Sequence, residues 1–278
     1  MEKMQFKAES QRLLDLMINS IYTHKEIFLR EIISNASAAM DKLAYTALTD
    51  EKVGLNREDF AVTITRDEKN RILTVSDNGI GMNRSEMEEN LGTIAKSGSL
   101  GFKQSMEKQE DIDIIGQFGV GFYSAFMVAS SVTVISRKYG EDTAWKWGSD
   151  GADGYTIEPA HRDAPGTDVI MTLKADTEEE TYGEFLEEYR IRELIRKYSG
   201  YIRYPIRMEV TRSRKKEDSE EYEDYTEMTT LNSMVPLWQR NKKDVTEEEY
   251  QRFYQEHFFE FRKPLSTIHS SAEGSVSF

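Results

Sequence analysis

The glycine-rich stretch at residues 115–124, Ile-Gly-Gln-Phe-Gly-Val-Gly-Phe-Tyr-Ser, constrains the fold of this chain more than any other segment. Three glycines fall within six positions, directly before an apolar run from Phe122 to Ala129. Glycine lets the backbone approach a ligand where a Cβ would collide, and a helix beginning after such a loop offers unpaired N–H groups to an anion. The pattern predicts a phosphate-binding loop, with a plain turn as the alternative.

Composition removes several classes of protein. The net charge of −14 argues against a nucleic-acid partner, and the lack of cysteine excludes disulfides and thiolate metal sites. The N-terminus has no apolar signal region and no run reaches membrane length, so we expect a cytoplasmic protein without a membrane partner. A length of 278 residues favours one large domain plus part of another.

Apolar periodicity predicts an α+β fold. A first amphipathic helix is expected around residues 14–21 and a second from about Lys25 to Ala47, and helical character returns at residues 182–201. Period-two alternation predicts strands at 60–65, 71–76, 131–136, 145–147, 168–173 and 206–210, the first two forming a hairpin. Strands grouped without regular βαβ alternation favour a sandwich, with helices packed on one face of a mostly antiparallel sheet.

A nearly uninterrupted charged run at residues 212–224 predicts a solvated linker. We therefore expect an N-terminal domain at residues 1–211, a charged linker at 212–227 and the beginning of a second domain at 228–278. The last part is too short to bury a core alone, so the chain is expected to be a fragment of a longer protein.

Glu31 and Asn35 are four residues apart in the second predicted helix and lie one above the other beside its apolar stripe. A hydrogen-bonded pair at the edge of the core is one interpretation. The other is a site in which Asn35 offers a neutral oxygen to Mg²⁺ and Glu31 takes a proton from a water attacking phosphate.

The segment Asp77-Asn-Gly-Ile-Gly-Met82 follows a predicted strand. Taken alone it is typical of a turn. Its two glycines, Gly79 and Gly81, also suggest backbone pressed against a flat ligand. The carboxylate of Asp77 could accept a hydrogen bond from the exocyclic amine of adenine, whereas guanine presents a carbonyl there. Small residues between Asn90 and Ser99 suggest a mobile cover, or an ordinary surface loop.

Four segments in this order resemble the Bergerat-fold ATPases, the superfamily of gyrase B, heat-shock protein 90, histidine kinases and MutL. They are Glu31–Asn35, Asp77–Met82, Gly92–Gly98 and Gly116–Phe122. The flanking residues, at 28–37 and 116–126, resemble heat-shock protein 90 in particular. Pro236-Leu-Trp and 261–265 resemble the start of its middle domain, and the short linker is similar to that of the bacterial form.

The resemblance implies a role for each matching residue. Glu31 would be the general base, Asn35 the Mg²⁺ ligand, Asp77 the adenine-reading carboxylate and Thr167 a hydroxyl that assists it through water. Further nucleotide contacts are implied at Gly81, Met82, Asn90, Lys96, Gly119, Val120, Gly121 and Phe122. The stretch from about 92 to 121 would be an ATP lid.

One position departs from the family pattern. The family usually has aspartate three residues after the Mg²⁺ asparagine, and this chain has Ala38. The missing carboxylate is expected to remove a water-mediated contact at the pocket wall, which puts nucleotide affinity in doubt.

The resemblance implies an ATP-dependent chaperone that binds ATP or ADP with Mg²⁺, acts on unfolded or partly folded client proteins and forms a homodimer at full length. The fragment itself, without the dimerising domain, is expected to be monomeric. The alternative is a nucleotide-binding module with negligible turnover, because the family's γ-phosphate arginine lies further along the middle domain. A DNA-linked ATPase is disfavoured by the charge. A histidine kinase is disfavoured because no histidine lies in a suitable helix ahead of the ATP motifs.

Overall fold

Helix α1 runs from Ile27 to Ala47 and forms because its apolar residues recur on one face. Phe28, Ile32, Met40 and Leu43 are fully buried on that face. The helix packs against the sheet, against a second α-helix and against the 3-10 turns Glu51–Val53 and Gly121–Met127. Burying each of these large side chains stabilises the fold by about 1.5–3 kcal/mol, so α1 is a main contributor to the core.

The computed structural model describes residues 24–92, 121–151, 154–215, 222–258, 260 and 262–270. The remaining helices are α2 (Arg84–Asn90), α3 (Glu188–Tyr198) and α4 (Glu247–Phe258). Short 3-10 turns cover Glu51–Val53, Arg57–Asp59, Gly121–Met127, Tyr182–Leu186, Leu237–Gln239 and Lys242–Asp244. Within the described ranges, none of these helices combines the length and the apolar character needed to cross a membrane.

One mixed sheet carries all eight strands of the described residues, in the order β5-β4-β3-β6-β2-β1-β7-β8. The strands are β1 (Val62–Asp67), β2 (Ile72–Asp77), β3 (Ala129–Arg137), β4 (Ala144–Ser149), β5 (Thr156–Ala160), β6 (Gly166–Leu173), β7 (Ile206–Lys215) and β8 (Tyr222–Thr230). Among the described strands, the β1–β7 pair is parallel and the other pairs are antiparallel. The predicted α+β class is confirmed, and each predicted strand lies within an observed one or overlaps it.

The charged segment predicted to be a linker is paired strand in its described parts. Residues 212–215 continue β7, and residues 222–227 belong to β8, which lies antiparallel to it. Opposite charges face each other across the pair, since Arg214 Nε lies 2.7 Å from Glu223 Oε1 and Arg212 pairs with Glu227. Cross-strand charge pairing and strand-forming Tyr and Thr residues outweigh the polarity that suggested a loop.

The chain divides into two compact units, one ending at Asn232 and the other beginning at Ser233. This boundary lies beyond the predicted domain end at residue 211, because the β7–β8 pair belongs to the sheet. In the second unit, Arg240 Nη1 is 2.7 Å from Glu249 Oε1 on α4. The Trp238 ring meets Phe253 edge-on at 6.1 Å.

The first amphipathic helix predicted at 14–21 lies outside the described residues. The helix predicted at 182–201 is observed as a 3-10 turn followed by α3.

Candidate functional site

Three polar side chains lie side by side near the ends of three neighbouring strands of the sheet. Asp77 at the end of β2 is the register partner of Thr167 on β6, and Thr167 is in turn the partner of Ser136 on β3. Register partners in an antiparallel pair point to the same face of the sheet. Their relative exposures are 7% for Asp77, 7% for Thr167 and 0% for Ser136, so all three are withdrawn from bulk water.

The carboxylate of Asp77 is held by backbone N–H groups of the protein. Its Oδ1 accepts a hydrogen bond of 2.8 Å from the backbone N–H of Gly79. Burial raises the pKa of Asp77 to about 7, although the Gly79 N–H and the charge of Arg162 oppose the rise. A buried acceptor of this kind is costly unless a ligand or water donates to it, which makes it a candidate for binding a polar ligand.

Arg162 holds the end of β2 in place. Its Nη2 donates to the backbone oxygen of Asp77 at 2.7 Å and to Asp168 Oδ1 at 3.2 Å, while Nε donates to Asp168 Oδ2 at 3.2 Å. Its Nη1 donates to the carbonyl oxygens of Ala164 and Pro165. All five N–H groups of the guanidinium are thereby used, and this rigid fork fixes the backbone that carries Asp77.

The two glycines after Asp77 serve packing inside the protein. A Cβ at Gly79 would lie 2.5 Å from the carbonyl carbon of Ala39 on α1. Gly81 has a φ of +67°, and a Cβ there would lie 1.9 Å from the backbone oxygen of Arg137. Neither position tolerates a side chain. Both glycines therefore allow close contact with α1 and β3, and the predicted contact with a ligand stays a prediction.

Helix α1 links this row to a second cluster. The N–H of Ile80 donates to the carbonyl oxygen of Ala39 at 3.0 Å, which places the Asp77–Met82 segment against the helix about one turn after Asn35. Asn35 is exposed, and its amide makes no hydrogen bond to another described residue. Its role as an oxygen ligand stays a prediction. Ala38 is half-buried on the same helix.

Glu31 lies in α1 against the turn that follows the glycine-rich loop. A Cβ at Gly121 would be 2.5 Å from Glu31 Oε2, so only glycine fits beside this carboxylate. Glu31 is buried, and its Oε1 accepts a 3.0 Å hydrogen bond from Arg30 Nε. The structure thus brings Glu31 and Gly121 together, although they are far apart in sequence.

A hydrogen bond links the described residues on either side of positions 93–120. The hydroxyl of Tyr123 donates to the carbonyl oxygen of Leu91 at 2.8 Å, directly after Asn90, the last residue of α2. The ring of Phe122 is buried and meets Trp147 edge-on at 5.4 Å. The ring of Phe122 is therefore part of the core, while Asn90 is half-buried at the helix end.

Three predicted contacts, Lys96, Gly119 and Val120, lie outside the described residues, as does most of the predicted lid. Sequence reasoning missed Ser136 and Arg162. Ser136 stands in an ordinary alternating strand and Arg162 in a polar loop, so neither carries a local signal. Among the described residues, no group of three or more His, Asp or Glu side chains could hold a metal ion.

Comparison with known proteins adds independent information. Residues 22–159 match the family model described as "Histidine kinase-, DNA gyrase B-, and HSP90-like ATPase". Residues 184–230 and 215–278 match the model described as "Hsp90 protein". Both halves of the chain therefore resemble one family.

Curated relatives match along the entire chain. This chain is 57% identical over 279 aligned residues to the Chaperone protein HtpG of Clostridium botulinum (strain 657 / Type Ba4). It is 58% identical to the Chaperone protein HtpG of Alkaliphilus oremlandii and 57% identical to that of Alkaliphilus metalliredigens. In each case all of this chain is covered but only 45% of the relative, so the chain spans less than half the length of these proteins.

Proposed function

Because the chain belongs to the heat-shock protein 90 family and carries that family's ATPase domain, we propose that it is the nucleotide-binding part of an ATP-dependent molecular chaperone. It binds ATP or ADP with Mg²⁺ and hydrolyses ATP slowly. The observation that carries the proposal is the buried Asp77 carboxylate opposite Thr167.

The Asp77 end of the site reads the base. An ionised carboxylate accepts hydrogen bonds and donates none, so it favours a purine with a 6-amino group over one with a 6-carbonyl group. The backbone N–H of Gly79 donates to this carboxylate, and Arg162 holds the backbone carbonyl oxygen of the same residue. Adenine nucleotides are therefore preferred to guanine nucleotides. Gly81 and Met82, which follow Asp77 in the same segment, would also line the part of the site that binds the base.

The Glu31 end handles the phosphates. Asn35 would hold Mg²⁺, which prefers few protein ligands alongside phosphate oxygens and water. The bound ion would neutralise charge on the phosphates. Glu31 would accept the proton of the attacking water, and Gly121 keeps the space beside its Oε2 open. Asn90, Lys96, Gly119, Val120 and Phe122 would provide further nucleotide contacts, and the stretch from about 92 to 121 would be the lid.

The remaining proposals rest on family membership. Client proteins in unfolded or partly folded states would be the macromolecular partners, the full-length protein would be a homodimer and the location cytoplasmic. Residues 228–278 would begin the middle domain.

A second candidate is a nucleotide-binding module with negligible turnover. This chain spans 45% of the length of its relatives, and the resemblance implies a γ-phosphate arginine further along the middle domain. Loss of a γ-phosphate arginine can lower phosphoryl transfer by about 10³–10⁵.

The proposal is tested by measuring ADP affinity and steady-state ATP hydrolysis with the same preparations. Glu31→Ala is expected to keep ADP affinity within about threefold and to lose at least about 100-fold in hydrolysis, the usual worth of a general base. Glu68→Ala, at the exposed β1–β2 turn, is the matched control. Equal loss of affinity and hydrolysis in Glu31→Ala would contradict the base assignment. Hydrolysis by the wild-type chain no faster than by Glu31→Ala would favour the second candidate.

A further inference from the structure

We propose that Ser136 is a positioning residue for purine recognition: its hydroxyl holds Thr167 and the Met82 backbone around Asp77, and selectivity for the 6-amino group depends on it. The inference rests on the proposed function, because it concerns the same site.

The hydroxyl of Ser136 connects three separate parts of the site wall. The backbone N–H of Met82 donates to Ser136 Oγ at 2.8 Å. Ser136 Oγ donates to the carbonyl oxygen of Gly166 at 2.9 Å and lies 2.8 Å from Thr167 Oγ1. One side chain on β3 therefore fixes the segment after β2 and the start of β6.

These contacts use the full bonding capacity of a serine hydroxyl. A hydroxyl has one donor proton and two acceptor lone pairs. The carbonyl oxygen of Gly166 can only accept, so it takes the proton of Ser136. Met82 N–H and the hydroxyl of Thr167 must then both donate to Ser136 Oγ.

The direction of the Thr167 hydroxyl follows from this arrangement. With its proton directed to Ser136, Thr167 Oγ1 presents lone pairs on its other side. Asp77 lies on that side as the other register partner of Thr167. The site therefore presents two neighbouring acceptors, which suits a ligand amino group or a water that donates to both. A ligand without a donor there would leave buried acceptors unpaired.

Removing the hydroxyl would act on recognition through Thr167 and Met82. Ser136→Ala leaves the Met82 N–H without its partner and frees the Thr167 hydroxyl to turn. The residues around Asp77 would be held less firmly, while the contact between Glu31 on α1 and Gly121 would remain. The expected loss of affinity therefore depends on whether the base of the ligand carries a 6-amino group.

The experiment measures the affinities of ADP and purine riboside 5′-diphosphate, which differ only in the 6-amino group. The wild-type chain is expected to bind ADP more tightly. Ser136→Ala should narrow the ratio of the two dissociation constants by about tenfold, the effect of one or two neutral hydrogen bonds. Ser136→Thr retains the hydroxyl and should keep most of the ratio. Ser199→Ala, which removes another buried serine hydroxyl at the end of α3, is the control.

Thermal unfolding shows whether each variant is folded. If Ser136→Ala does not fold, Ser136→Cys keeps the side-chain volume with a weaker donor and takes its place. An unchanged ratio in the folded variant, or equal weakening of both ligands, would overturn the role of Ser136 and leave the proposed function standing. Failure of the wild-type chain to bind ADP would overturn both.

Discussion

Asp77 and Thr167 lie directly opposite each other on β2 and β6, and both side chains are buried in the same face of the sheet. The pair is held from outside by Arg162, which binds the Asp77 carbonyl oxygen, and by Ser136, which binds Thr167. The surroundings hold an acceptor carboxylate in place before any ligand arrives. The predictions below follow from this arrangement and from the Glu31 cluster.

Nucleotide affinity should depend on pH through Asp77. Burial raises its pKa to about 7, and the 6-amino group of adenine binds best to the ionised form. The dissociation constant of ADP relative to purine riboside 5′-diphosphate is therefore expected to rise by about tenfold between pH 8 and pH 6. Calorimetry at the two pH values measures this ratio, in which the titration of the phosphates cancels. A constant ratio would show that Asp77 does not titrate in this range or does not contact the base.

Gly121→Ala should impair hydrolysis more than binding. The added Cβ would lie 2.5 Å from Glu31 Oε2, so the carboxylate must move. We expect at least about a tenfold loss of ATP hydrolysis, since proton transfer requires hydrogen-bond geometry, with a smaller change in ADP affinity. Gly148→Ala on β4 is the control, because its Cβ would be 3.6 Å from Thr156 Oγ1, an ordinary contact. Equal hydrolysis by the two variants would argue against a role for the Glu31–Gly121 contact.

Ala38→Asp should strengthen nucleotide binding. It restores the carboxylate that the family pattern has one helical turn after Asn35, and with it a water-mediated contact worth up to about tenfold in affinity. A negative charge added to a chain of net charge −14 would by itself repel an anionic ligand. Ser37→Asp therefore serves as the control and should bind ADP more weakly. No gain in Ala38→Asp would indicate that the present pocket wall already compensates for the missing carboxylate.

Local patterns in the sequence were sufficient to locate α1 with Glu31 and Asn35, the β1–β2 hairpin and the segment that begins at Asp77. These features depend on residues that are neighbours along the chain, where helical and strand periodicity can be read directly. Ser136 and Arg162 could not be found in this way. Their importance depends on which strands are adjacent and in what register, and that is decided by packing of the whole sheet.

In the β7–β8 pair, the local sequence pattern predicts the wrong kind of structure. Its charges suggested a solvated linker, yet Arg214 faces Glu223 across the two strands. Composition alone does not separate a charged loop from a charged strand pair. The strand-forming residues Tyr222, Tyr225 and Thr226 among the acidic ones are the available strand signal. A Cβ at Gly79 or Gly81 would meet the protein's own backbone, a requirement that depends on tertiary packing and has no local sequence signal.

The central claim is that Asp77 binds the base of an adenine nucleotide. The direct measurement is ADP titration by calorimetry at pH 8 on the wild-type chain and on Asp77→Asn, with Asp163→Asn at an exposed position as the control. Asparagine can still accept from the Gly79 N–H, so the backbone should be retained.

Thermal unfolding of the Asp77→Asn protein without ligand shows whether this variant is folded. A carboxyl whose pKa is raised in the folded state stabilises the folded protein. This contribution is complete at pH values below the ordinary pKa of 3.8, and it is lost as the pH rises through about 7. Asp77→Asn should therefore unfold at a temperature a few degrees above the wild type at pH 8. In the same samples, ADP affinity is predicted to fall by about 100-fold or more in Asp77→Asn and to stay unchanged in Asp163→Asn. A folded Asp77→Asn protein that binds ADP as tightly as the wild type would contradict the account.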